Sequence, residues 1–182
     1  MGQSLEMAVM CSQDKQPIVA KIVNAFQNVT LLGDDECSLL HPWCTDVAAV
    51  DDFIDASWNA NWQSIPGDVI ERNYASLSFF SPMAFRFYLP AFMYHALSCE
   101  SQGCPVLTST IHDLTPKKEY PTLRSYFESR VAAFTVPQIE AVLSFLEYAR
   151  YSVGNNFVHR IAGEALDGYW YAMHSKRTRN IP

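Results

Sequence analysis

The sequence predicts a mainly α protein: a single-domain helical bundle of about six helices around a bent, aromatic-rich central helix, with at most a minor β element. Three observations lead there. The run from Leu77 to Tyr94 is apolar and aromatic all round a helical wheel, a pattern that suits a buried helix. No run shows the strict two-residue alternation of a half-exposed strand, and Leu31-Leu32 and Val106 to Ile111 are at best short strands. With 49% apolar and 18% charged residues over 182 positions, the chain can bury a sizeable core without disulfide staples and is too apolar for disorder.

Residues 1 to 16 are weakly patterned and form an N-terminal segment ahead of a single domain spanning 17 to 175. The first helix opens at Pro17, whose missing N–H costs nothing in a first turn. It places Ile18, Ile22, Ala25, Phe26 and Val29 on one face, and Gly33-Asp34-Asp35 breaks it. A second helix starts after Thr45 as N-cap and carries Val47, Val50, Phe53 and Ile54. Asn59 to Ser64 reads as a loop with Trp58 and Trp62 near its ends, and Pro66 opens a short helix reaching Tyr74.

Ser81-Pro82 supplies an N-cap and a first-position proline for the central helix. Pro90 cannot donate to the Arg86 carbonyl, so a bend or break is predicted there. Cys99 to Tyr120, with Gly103, Pro105 and Pro116, reads as irregular and as the first place to look for a functional loop. Thr135-Val-Pro-Gln138 has the spacing of a capping box, ahead of a helix with Ile139, Val142, Leu143, Leu146 and Ala149 on one face. Asn155-Asn156 caps a last helix holding Phe157, Ile161, Ala165, Tyr169, Trp170 and Met173, and 176 to 182 is a basic tail.

Thirteen basic against nineteen acidic residues give a net charge of -6, which argues against general nucleic-acid affinity. No stretch is apolar for long enough to span a membrane. Five cysteines and no secretory signal read as reduced thiols in the cytoplasm. The charge is uneven: between Lys21 and Arg72 lie nine carboxylates and no basic residue. Such a window can steer a basic protein partner. Asp51, Asp52 and Asp55 share one turn, and Trp58 and Trp62 are anchor-type side chains, so these five are the candidate binding residues. The commoner origin of such a window is a solvated acidic face neutralised by arginines of the second half.

Other constellations are looser. His95, His112, Asp113 and Asp167 follow an order that a metal-dependent, all-helical phosphohydrolase can use to activate water, although so many acids meet that order easily by chance. Cys37, His41, Cys44, Cys99 and Cys104 offer a tetrahedral zinc set, without the tight CxxC spacing that makes such sites recognisable. Free buried cysteine is more usual. There is no nucleophile elbow, phosphate loop, GxGxxG or HExxH, and no cofactor is predicted. Arg86, between Phe85 and Phe87, is predicted to form a structural ion pair with an acid of the second helix. Lys117-Lys118 and the basic tail read as solvated ends.

The segment Leu77-Ser-Phe-Phe-Ser-Pro-Met-Ala-Phe-Arg-Phe-Tyr-Leu-Pro-Ala-Phe-Met93 resembles a family of small bacterial proteins of unknown function. They share a core of the form Leu-x-Phe-Leu-x-Pro-x-Phe-Arg-Phe/Tyr-Tyr-Leu-Pro-Ala, which here reads Leu-x-Phe-x-x-Pro-x-x-Phe-Arg-Phe-Tyr-Leu-Pro-Ala. The resemblance extends upstream through Phe26, Gly33-Asp34, Leu39-Leu40, Asp51-Asp52, Trp62 and Ile65-Pro66. Downstream it takes in Phe134-Thr135 and the helix from Ile139 to Tyr148. The chain departs from the pattern in its cysteines, in Phe80, in Met83-Ala84 and in the long final helix. The resemblance implies one cytoplasmic, bacterial-type domain and brings no activity with it. The expected function is therefore a non-enzymatic, acidic binding module, an inhibitor of the immunity or antitoxin kind acting on a basic protein. The alternatives are the hydrolase above and a structural subunit of a larger assembly.

Overall fold

Helix α3 (Pro82–Ser98) is the axis about which the other helices pack. The Ser81 hydroxyl accepts the Ala84 amide at 3.3 Å, and Pro82 fills the first helical position, as the sequence predicts. The computed structural model describes residues 15–31, 39–41, 50–53, 61–99 and 103–179. Among these, α1 covers residues 15–26, α2 is Gly67–Arg72, α4 is Pro105–Asp113 and α5 is Pro121–Val131. The chain continues through α6 (Val136–Ser152), α7 (Asn156–Ala165) and α8 (Tyr171–Arg179). No strand or sheet occurs among the described residues. Their β feature is one isolated antiparallel bridge, Leu40 to Phe80, flanked by His41 N–H to the Phe79 carbonyl and Ser81 N–H to the Leu39 carbonyl.

Burial of α3 is nearly complete. Phe85, Phe87, Tyr88, Leu89, Phe92, Met93 and Leu97 are inside, and Arg86, Tyr94 and His95 reach outward. The helix runs unbroken through Pro90, where the sequence predicts a bend or break. Pro90 is itself buried, so packing on every side holds the backbone helical across the hydrogen bond it cannot make. Phe53 and Phe80 pack on Tyr88 with ring centroids 5.0 and 4.6 Å away, and Phe92 stacks on Phe53 at 6.1 Å. The Tyr88 hydroxyl donates to the Phe53 carbonyl at 3.0 Å, which pins the 3-10 turn Asp51–Phe53 to the axis.

The segment expected to be irregular between Cys99 and Tyr120 contains α4. Pro105 occupies its first turn, Val106, Leu107, Thr110 and Ile111 face the core, and the Thr110 hydroxyl donates to the Val106 carbonyl at 2.7 Å. Four β-branched residues and flanking prolines disguise it, and burial against α3 overrides their weak helix propensity. The capping box at Thr135 forms, with its amide donating to Gln138 Oε1 at 3.1 Å. Asn155 caps α7 by accepting the Phe157 and Val158 amides.

A π-helical turn, Leu166–Trp170, joins α7 to α8 in one rod. Its extra residue resets the helical phase. Val158, Ile161, Ala162, Ala165 and Leu166 face inward before it, and after it Trp170 takes the buried place, donating its indole N–H to the Leu114 carbonyl at 2.7 Å. Phe157, in the first turn of α7, is exposed. The helix continues through Lys176, Arg177 and Arg179, so the start of the predicted basic tail is helical. Residues 1–14, the Gly33-Asp34-Asp35 turn and the predicted helix start at Thr45 lie outside the described residues. One apolar cluster runs from Ile22 to Trp170 without interruption.

Candidate functional site

A cleft of about 290 Å³ lies between the 3-10 turn Trp62–Ser64, α2 and α3. Pro66 in extended conformation starts α2 and carries Gly67 to the floor, where a Cβ would meet the His95 ring at 3.0 Å. Trp62, Ile65, Ile70 and Ala91 make the lining apolar, and Tyr94, 46% exposed, stands at the mouth. His95 Nε2 lies 3.1 Å from Glu71 at the same edge. Asp68, one turn earlier on α2, accepts Arg72 Nη1 at 2.6 Å, and Arg72 Nη2 sits 3.6 Å from Asp52. Asn73 donates to Asp52 at 2.7 Å, while Asp51 stays exposed. Glu71 thus stands at the cleft edge, while Asp52 and Asp68 gather around Arg72 beside α2, with Asp51 exposed next to them. Arg72, the residue that ends the base-free window of the sequence, is the cation that partly offsets them.

Of the five candidate binding residues, Asp52 belongs to the acidic group around Arg72 with Asp51 exposed beside it, and Asp55 and Trp58 lie outside the described residues. Trp62 is a correction. It is 2% exposed and donates its indole N–H to the Phe26 carbonyl at 3.2 Å, so it forms the floor of the cleft instead of an exposed anchor. Tyr94 supplies the accessible aromatic. The sequence carries a faint signal for it: Met83, Arg86, Tyr94 and His95 interrupt the otherwise apolar α3, and Met83 and Tyr94 stand three turns apart on one exposed line.

The phosphohydrolase set does not converge. His95 meets Glu71, the exposed His112 lies near Phe157, Asp113 turns into the core and Asp167 pairs with Arg150 at 3.1 Å. Partial desolvation of its ring, followed by the Lys117 charge, holds His112 below the ordinary imidazole value. The zinc set is divided as well. His41 is tied to Phe79 and stacks edge-on with Tyr126 beside the start of α3, whereas Cys99 caps its far end. Seventeen helical residues put about 25 Å between the two ends. Cys37 and Cys44 lie outside the described residues, and among those described no three His, Cys, Asp or Glu side chains form a metal-sized group. Cys99 and Cys104 are free thiols, and burial first, then hydrogen bonding with Cys99, pushes Cys104 up to about 11.

Arg86 also differs from expectation. It is half-buried and donates Nε to Gln138 Oε1 at 3.1 Å, so its partner among the described residues is a neutral amide. The buried charge is Arg130, 4% exposed, facing Asp113, 6% exposed, at 3.5 Å. Its guanidinium lies between the rings of Phe85 and Tyr126, 4.2 and 4.5 Å from their centroids, and donates to the Leu77 and Asp113 carbonyls. Ser78 donates to Asp113 Oδ1 at 2.9 Å. Burial outweighs the guanidinium and pushes the Asp113 carboxyl up, and burial with the Arg130 charge holds His41 down. This node ties α4, α5 and the start of α3 together. Nothing marks Arg130 in the sequence, because α5 is polar nearly throughout and only the packing decides which arginine turns inward.

No helix among the described residues is long and apolar enough to cross a membrane. No curated protein and no solved structure matches the chain. Its length is instead accounted for by one family: residues 14–174 match the family of unknown function DUF6714, and the chain belongs to it.

Proposed function

We propose that this protein is a non-enzymatic binding module of a bacterial cytoplasm that captures a basic protein, in the manner of an immunity or antitoxin-type inhibitor. The observation that carries this reading is an apolar cleft whose α2 wall leads to an acidic group around Arg72. A Lys- or Arg-rich segment of the partner lies along Asp51, Asp52, Asp68 and Glu71 and inserts one apolar side chain beside Tyr94. The first 72 residues hold eleven acidic and three basic side chains, so long-range attraction acts on the same end of the chain. Among the described residues, Asp52 and Asp68 pair with Arg72 of their own half and not with an arginine of the second half. Arg124, Arg150 and Arg160 pair with Glu128, Asp167 and Glu164 of their own half.

The test begins with native mass spectrometry of the protein purified from its own host, followed by association kinetics with the partner recovered. Asp51, Asp52 and Asp68 changed together to Lys slow association by about tenfold or more at low salt and abolish its salt dependence. Tyr94→Ala raises the dissociation rate instead, since it removes contact without changing charge. An acidic partner, or rates that ignore both variants, sinks the proposal.

A further inference from the structure

A second concave site lies on the opposite charge. Between the α4–α5 turn and α7 is a groove of about 410 Å³, inside the size range of small-ligand pockets. Lys117, Lys118 and Arg160 line it, together with Tyr120, 60% exposed, and the carboxylates of Glu119 and Glu164. Three of the chain's thirteen basic residues thus meet at one groove in a protein of net charge -6. Arg160 is held by Glu164 at 2.7 Å, whereas Lys117 and Lys118 have no ion pair among the described residues. A second hollow, of about 380 Å³, shares Lys118, Arg160 and Glu164 and reaches the π-helical turn. There Gly168 leaves room for Lys118, since a Cβ at Gly168 would stand 3.0 Å from its Nζ.

Unpaired ammonium groups beside an exposed aromatic face and two carboxylates make a particular combination. The ammonium groups take a phosphate, the ring stacks on a flat heterocycle, and the carboxylates accept hydroxyl or amino hydrogens. We propose that the Lys117–Lys118–Tyr120 groove binds a nucleoside phosphate. The phosphates lie on Lys117 and Lys118, the base on Tyr120, and the sugar hydroxyls toward Glu119 or Glu164. The site is separate from the acidic cleft and does not depend on the partner proposed there.

Calorimetric titration of the full chain at low salt tests it, using ADP, ATP, adenosine, inorganic phosphate and a twelve-residue oligothymidylate as probes. ADP and ATP bind saturably in the micromolar range, and adenosine and phosphate alone bind at least about tenfold more weakly. Lys117→Ala with Lys118→Ala weakens ADP by about tenfold or more, Tyr120→Ala weakens ADP but not phosphate, and Glu71→Gln in the acidic cleft changes neither. All the altered side chains are solvent-facing, and unchanged circular dichroism confirms that each variant is folded. Absence of saturable ADP binding, or ADP binding indifferent to the lysine pair, overturns the assignment. Oligothymidylate that binds more tightly than ADP overturns it in favour of a single-strand site.

Discussion

Arg130 and Asp113 carry the most consequential chemistry at the scale of single residues. A guanidinium between two rings that also feeds two carbonyls cannot be truncated without leaving a buried carboxylate alone. Arg130→Met therefore costs about 3–5 kcal/mol at neutral pH, measured by urea unfolding. The pH dependence follows from the direction of the Asp113 shift. Its folded-state value lies above its unfolded one, so the folded protein keeps a proton that the unfolded chain gives up. That contribution is complete below the unfolded carboxyl value, about 4, and is lost as pH rises through the folded value. Without Arg130 the carboxyl moves further up, so the penalty of Arg130→Met shrinks as pH falls from 8 toward about 4. A penalty that grows toward acid would show that Asp113 is not the group involved. Trp62 teaches a related lesson about reading residues. Its indole looks like an interface anchor in a loop, and only the Phe26 carbonyl, 36 positions away, shows that it belongs to the floor.

At the scale of elements, the parts legible in the sequence are those set by local rules. Ser81-Pro82, Thr135 with Gln138, and Asn155 each start a helix because the cap and its amides lie within three residues of one another. The face of α6 reads correctly for the same reason: five apolar residues at helical spacing all turn inward. α4 is not legible, because its β-branched residues and prolines speak against a helix that only contact with α3 stabilises. The π-helical turn is equally hidden, since no local pattern announces an extra residue, and it is what carries Trp170 onto the buried line of Val158, Ile161 and Ala165. That turn also makes a prediction. The atoms nearest a Cβ at Gly168 are the flexible end of Lys118, at 3.0 and 3.2 Å, so in Gly168→Ala that end shifts by a few tenths of an ångström and the helix gains about 0.5–1 kcal/mol of propensity. A loss of thermal stability in that variant would mean that Lys118 is held firmly against the turn.

At the scale of the molecule, charge and apolar surface are divided differently. The charge separates into an acidic first part and a groove with unpaired lysines, and both candidate sites follow that division. The sequence shows the acidic part plainly as a window without basic residues, but the groove needs α4, α5 and α7 to be assembled before Lys117 and Arg160 meet. The apolar core has no such division, because one cluster joins residues from α1 to the π-helical turn. Unfolding is therefore cooperative, and near-UV and far-UV circular dichroism traces coincide in urea. Two separated transitions would show that the core is not a single unit.

Gln138 draws these scales together. Its side-chain amide receives the Thr135 N–H and the Arg86 Nε, and donates to the Ala25 carbonyl at 3.2 Å, so one group at the start of α6 is fastened to α1 and α3. Helix ends ordinarily exchange their amide hydrogens by fraying a turn at a time. Here the first turn of α6 cannot fray alone, because releasing Thr135 also disturbs contacts with two distant helices. Its amide exchanges with deuterium as slowly as those of the core, so a residue whose side chain faces solvent serves as a clock for the opening of the whole protein.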